Sequence, residues 1–113
     1  MATAGTVSRD MAAPKPFRLV YRTFDRIGFN PRKSDEVFAE RGFDLAYVSR
    51  IFPGYVLERE DTRGYAETRY QAIGEVLGDI FFVVYTRYGR NCRLITAWEA
   101  EPHEEELWHA ATR

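Results

Sequence analysis

The sequence has one cysteine and two histidines, and this scarcity limits the kinds of site it can form. A lone Cys92 excludes a disulfide within the chain and any cysteine-based zinc site. Because free cysteines are usually buried, Cys92 is expected in the core. His103 and His109 are six residues apart, which does not place them on one face of a helix. We therefore predict no metal site and no cofactor.

Long apolar runs are also missing. No stretch approaches the ~20 apolar residues that a membrane-spanning helix needs, and the first 16 residues lack the apolar segment of a signal peptide. We predict that residues 1–16 form a disordered N-terminal arm and that residues 17–113 form one domain. The expected location is the reducing cytoplasm, with no membrane partner.

The net charge of −1 conceals an uneven distribution of charge. Residues 1–98 carry 15 basic and 12 acidic side chains, whereas residues 99–113 carry one arginine and five glutamates. A content of 45% hydrophobic and 15% aromatic residues is typical of a folded chain. A mildly basic body with an acidic end permits an anionic partner without requiring one.

Local signals predict two helices in the first half of the chain. Asn30 is a good N-cap, Pro31 suits the first helical position, and Gly42 suits the left-handed residue after the helix. Asp44 is the next N-cap, and its helix is stopped by Pro53 and Gly54. Residues 17–24 are interpreted as a strand or an ordered arm, and residues 25–29 and 55–60 as short strands.

After residue 54 the hydrophobic pattern changes to the alternation of strands. Residues 67–76, 80–88 and 92–98 are joined by short turns, which predicts an antiparallel meander. Pro102 then opens a final helix. We predict an α+β fold: an antiparallel sheet of about four strands, two N-terminal helices and one C-terminal helix.

Arginines and tyrosines lie among the predicted strands. Glu67 and Arg69 are two residues apart, so a strand would place them on one face. Such a face favours contacts to RNA, or metal-free RNA cleavage in which a carboxylate takes the 2′-hydroxyl proton. The competing interpretation is a set of cross-strand ion pairs on an exposed face. The other residues considered are Arg87, Arg90, Arg93, Tyr65, Tyr70, Tyr85 and Tyr88.

The central block resembles the BrnT family of bacterial type II toxins. Residues 60–74, "EDTRGYAETRYQAIG", match its aspartate-threonine-arginine loop and the pattern E-x-R-Y-x-A-I-G. "FFVVYT" at 81–86 and "RLITA" at 93–97 match V-x-Y-T and R-I-I-S-A-R. Upstream, "FNPRKSDEVFAERG" at 29–42 is similar to the family's opening without a gap. The resemblance covers residues 24–108.

The resemblance implies a RelE-like fold and a ribonuclease that cuts RNA without metal and arrests growth. It also implies neutralisation by a cognate BrnA-like antitoxin, with DNA contacted only through the antitoxin. Carried over to this chain, Glu67 is the general base, and Arg69 and Arg93 stabilise the transition state. Thr86 matches the central strand of the family. The residues assigned to RNA binding are Lys33, Arg41, Arg63, Tyr85 and Arg87.

Departures from the family pattern keep two other functions open. Val37, Glu40 and Arg41 stand where the family has asparagine and lysine-histidine, and Trp98 and Glu99 stand where it has arginines. One alternative is a catalytically weakened toxin that acts as an antitoxin-binding module in a repressor complex. The other is a plain nucleic-acid-binding domain, which the acidic residues 99–106 disfavour.

Overall fold

The computed structural model describes residues 15–113, which form a single six-stranded sheet with helices on both faces. The predicted N-terminal arm therefore falls almost wholly outside the described residues. The sheet order is β1-β3-β4-β5-β6-β2, and among the strands of residues 15–113 only β2 and β6 run parallel to each other. The strands are β1 Arg18–Arg22, β2 Arg26–Phe29, β3 Gly54–Asp61, β4 Arg69–Val76, β5 Asp79–Tyr88 and β6 Asn91–Glu99; the helices are α1 Pro31–Arg41, α2 Leu45–Val48 and α3 Pro102–Thr112.

Helix α1 begins and ends where its capping residues predict. The Asn30 side chain accepts a hydrogen bond from the backbone N–H of Arg32 at 2.9 Å. At the other end Gly42 has φ +85° and donates its N–H to the carbonyl of Phe38 at 2.9 Å.

Within residues 15–113, no helix is long and apolar enough to cross a membrane.

The α+β class is confirmed, but two details of the prediction are wrong. In the described part of the chain the sheet has six strands and not about four, because β1 and β2 pair at its two edges. Both strands are short and their partners are distant in sequence, so the local pattern does not show that they join the sheet. The second N-terminal helix is also shorter than predicted, since α2 gives way to a 3₁₀ turn at Ser49–Ile51.

Each face of the sheet carries its own hydrophobic core. On the α1 face, Val37 of α1 and Leu45 of α2 are fully buried against Val56 and Tyr85 of the sheet. Cys92 is buried on this face as predicted, and burial raises the pKa of its thiol to about 12. On the opposite α3 face, the buried residues are Leu57, Ile73, Ile80, Phe82, Val84 and Trp108.

Helix α3 uses part of its negative charge to build its own N-terminus. Glu104 is fully buried, and its Oε1 accepts a hydrogen bond from the backbone N–H of Glu101 at 2.8 Å. One turn later the Trp108 indole N–H donates to Glu75 Oε1 at 2.9 Å, which attaches the helix to β4. Because the helix dipole favours acidic groups at this end, the acidic stretch has a structural cause.

Candidate active site

The register of the three central strands places Arg69 and Arg93 on one face, and the contacts of Glu67 with Arg69 and Tyr88 place it beside them. Tyr85 of β5 lies opposite Tyr70 of β4 and Leu94 of β6, and Tyr85 points into the α1-face core. Since successive residues of a strand alternate between faces, Arg69 and Thr86 point to the α3 face. Arg93 lies opposite Thr86 and shares that face. We call Glu67, Arg69, Thr86 and Arg93 the polar end of the α3 face.

Glu67 lies two residues before β4, in the loop that precedes it, and is held there by two side chains. Its Oε2 is 3.7 Å from the Arg69 guanidinium, and its Oε1 accepts a hydrogen bond from the Tyr88 hydroxyl at 2.8 Å. Arg69 also lies over the Tyr65 ring, 3.9 Å from the ring centroid. The Glu67 side chain is 37% exposed, so the carboxylate can exchange a proton with a bound ligand.

Arg63 is engaged by a buried carboxylate on the same face. Asp61 is opposite Arg69, and the Arg63 Nε donates to its Oδ1 at 2.8 Å. Burial acts to raise the pKa of Asp61, but the hydrogen bonds and the charge of Arg63 outweigh it and hold that pKa below its usual value. The pair fixes the start of the loop that carries Glu67.

The Asp61–Arg63 pair predicts a stability that depends on pH. Above the ordinary Asp pKa of 3.8 the pair stabilises the folded state in full, and its contribution is lost as the pH falls towards the lower folded pKa. Asp61→Asn should cost about 1.5–3 kcal/mol at pH 7, as expected for a charged hydrogen bond. Urea unfolding at pH 7 and pH 3 should show this difference shrinking. A constant difference would contradict the prediction.

A second polar cluster lies on the α1 face and was not predicted. Glu58 is only 8% exposed, and Arg22 donates two hydrogen bonds to its carboxylate. The Nε of Arg22 is 3.1 Å from Oε2, and a terminal nitrogen of Arg22 is 2.5 Å from Oε1. Arg87 lies 3.9 Å from the same carboxylate and 3.6 Å from the centroid of the Tyr70 ring. The alternation of β3 places Glu58 on the face of buried Val56, which is a signal for a buried charge. The sequence around Arg22 on β1 does not indicate that Arg22 pairs with Glu58.

Tyr85 belongs to this second cluster. Its ring is fully buried, and its hydroxyl donates to Glu58. Burial and the nearby negative charge of Glu58 raise the pKa of Tyr85 far above its usual value. Since the ring has no exposed surface, it offers no platform on which a base could stack.

Comparison with known families identifies the family of the chain. Residues 29–104, more than half of the chain, match the family described as "Ribonuclease toxin, BrnT, of type II toxin-antitoxin system". The chain belongs to the BrnT family. Membership makes it a type II ribonuclease toxin by family and implies an antitoxin partner. A search of curated proteins finds no significant match.

Two departures from the BrnT pattern contact each other in this structure. The Arg41 guanidinium lies 5.2 Å from the centroid of the Trp98 ring, and Arg41 also pairs with Glu40 at 3.2 Å. Trp98 is opposite Phe82, four residues from Thr86 on β5, which is about 13 Å along the strand. Arg41 is therefore not part of the polar end of this BrnT toxin.

The remaining helix α1 positions are also apart from the polar end. Lys33 lies 3.9 Å from Glu36 on an exposed surface, and α1 packs on the other face of the sheet. Val37, one of the predicted departures from the family pattern, is fully buried in the α1-face core. The structure thus brings Glu67, Arg69 and Arg93 to one face.

One group of described residues has the chemistry of metal ligands. Atoms of Glu101, His103 and Glu104 lie within 4.8 Å of one another at the start of α3. Glu104 is buried there as part of the helix cap. The absence of a metal site stays a prediction for this BrnT toxin.

Proposed function

We propose that this BrnT toxin is a metal-independent endoribonuclease that cleaves RNA at the polar end of the α3 face. The observation that supports this proposal is the common face of Glu67, Arg69 and Arg93. Glu67 and Arg69 are neighbours in sequence, and the sheet places Arg93 of β6 on the same face, opposite Thr86 of β5. A carboxylate and two guanidinium groups on one face are the set that cleavage through the 2′-hydroxyl needs.

In the proposed mechanism Glu67 takes the proton from the 2′-hydroxyl of the RNA. The 2′-oxygen then attacks the adjacent phosphorus, the bond to the 5′-oxygen breaks, and that oxygen takes a proton from water. Arg69 and Arg93 neutralise the negative charge that develops on the phosphorane, so these side chains supply the electrostatic stabilisation. Tyr88 orients Glu67 through its hydrogen bond.

Other predicted RNA contacts take supporting parts in the proposal. Arg63 orders the loop before Glu67 through its ion pair with Asp61. Lys33 remains a proposed peripheral contact to phosphate, since its side chain is 40% exposed. Tyr85 and Arg41 have other partners, Glu58 and Trp98, and they are not assigned to the cleaving site.

The proposed partner is a BrnA-like antitoxin, which would also provide any contact with DNA. A second candidate function is an antitoxin-binding module of a repressor complex that no longer cuts RNA. It is favoured by Trp98 and Glu99, which replace family arginines. Phe38 is 59% exposed near Arg41 and Glu99, so this surface suits a basic segment of a partner.

Growth and cleavage assays separate these functions. Induced expression of the full chain should arrest bacterial growth, and co-expression of the antitoxin should relieve the arrest. Purified protein should cleave single-stranded RNA equally well with and without EDTA. Normal growth with soluble, folded protein would contradict the ribonuclease proposal and support the binding module. Loss of cleavage in EDTA would contradict metal independence alone.

A further inference from the structure

The Glu58 cluster opens into a cleft that the proposed reaction does not use. The cleft has a volume of about 350 Å³ and lies on the α1 face, between β1 and the end of β5. We infer that this cleft is a second RNA-binding site, which holds a phosphate of the substrate outside the cleaved bond. The inference rests on the proposed ribonuclease function and adds a contact to it.

The two arginines of the cleft are held in place before any ligand binds. Arg22 comes from β1 and Arg87 from β5, and both converge on the one carboxylate of Glu58. Arg87 is fixed further by the Tyr70 ring, which in turn stacks on Tyr85 at 5.8 Å between centroids. Because the guanidinium groups are already ordered, binding an anion costs little further side-chain entropy.

The arginines keep donors for a ligand. Arg22 uses two nitrogens to bind Glu58, and a guanidinium has five N–H groups. Arg87 is 3.9 Å from Glu58, which is beyond hydrogen-bond distance. Their side chains are 27% and 25% exposed, so both reach solvent in the cleft. A phosphate accepts such paired donors well.

The cleft carries an excess of positive charge although the chain as a whole is nearly neutral, and this excess favours binding of an anion. Five basic side chains line it against two carboxylates, Glu58 and Glu60. This excess concentrates positive potential in a concave surface, where it attracts phosphate most effectively. The basic residues are Lys15, Arg18, Arg22, Arg59 and Arg87.

The position of the cleft favours RNA as the source of the phosphate. Arg87 is flanked in β5 by Thr86 and Tyr88, which point to the opposite, catalytic face. The cleft and the polar end therefore lie on opposite faces of the sheet, at the same end of its strands. A single strand that passes around this end can occupy both. Arg18 and Arg22 lie in β1, outside the residues matched to the family, whereas Glu58 and Arg87 lie within them.

Binding of a 2′-O-methyl RNA 12-mer tests the inference without any cleavage, because the probe has no 2′-hydroxyl. Fluorescence anisotropy between 50 and 300 mM salt gives both Kd and its salt dependence. Arg18→Gln combined with Arg87→Gln should raise Kd about tenfold and reduce the salt slope by about 0.7, the value expected for the loss of one single-strand phosphate contact. Arg50→Gln, an exposed arginine outside both sites, is the matched control.

Cleavage kinetics provide a second readout. The double variant should raise KM for a cleavable 12-mer and leave kcat unchanged, and it should cleave a dinucleotide as the parent does. Unchanged Kd and slope in the folded double variant would overturn the inference, as would an equal loss in Arg50→Gln. If the parent binds through the cleft but cleaves nothing, the inference stands and the proposed activity fails. Normal cleavage with an unchanged slope would overturn the inference and leave the proposed activity intact.

Discussion

Replacing Arg93 with alanine should lower kcat for RNA cleavage by about 10²–10³, the loss typical for one group that stabilises transition-state charge. Arg93 is exposed on β6 opposite Thr86, so its removal leaves the core and the sheet intact. The substrate KM should change little, because the contact strengthens as the phosphorane forms. Single-turnover cleavage of a fluorescent RNA measures the chemical step directly.

Arg90→Ala is the matched control for this experiment. Arg90 lies in the turn before β6, three residues from Arg93, and pairs with Asp25 at 2.9 Å on an exposed surface. It should retain parental kcat within a factor of two or three. Equal rates for Arg93→Ala and the parent would remove Arg93 from the mechanism. An equal loss of kcat in Arg90→Ala would show that any lost positive charge near β6 lowers the rate, and that Arg93 has no specific role.

Glu58→Ala is expected to have the largest effect on stability. The change leaves Arg22 and Arg87 without their shared carboxylate. It also removes the acceptor of the hydrogen bond from the buried hydroxyl of Tyr85. Removing one partner of a buried charged cluster typically costs about 3–5 kcal/mol. Urea unfolding followed by tryptophan fluorescence gives the free energy of unfolding.

Glu60→Ala provides the comparison two residues along the same strand. Glu60 is 41% exposed and pairs with Lys15 at 3.0 Å, and exposed pairs are worth about 0–1 kcal/mol. The two variants remove the same chemical group from β3, so their difference isolates the effect of burial. Equal, small losses for both would show that the Glu58 cluster contributes no more than a surface ion pair.

Local signals in the sequence are enough to predict much of this fold. Asn30, Pro31 and Gly42 determine the ends of α1 because capping depends on a few neighbouring atoms. The meander of β4, β5 and β6 follows from alternation and short turns, and the structure pairs these strands in that order. The Glu67–Arg69 pair is equally local and lies within one segment.

Features that depend on distant partners could not be predicted in the same way. The parallel pairing of β2 with β6 joins segments more than 60 residues apart, and no motif in either strand encodes it. Arg22 meets Glu58 across 36 residues of sequence. Tyr85 resembles a ligand-binding aromatic in sequence, and only the packing of α1 and α2 over the sheet shows it to be buried.

The stacking of Arg41 on Trp98 has a consequence for how such a chain can change over time. A return of Trp98 alone to the arginine of the BrnT pattern would set two guanidinium groups against each other, whereas a return of Arg41 alone to histidine would expose the indole. We therefore expect the two positions to be energetically coupled, so that a redesigned sequence is best served by exchanging them together.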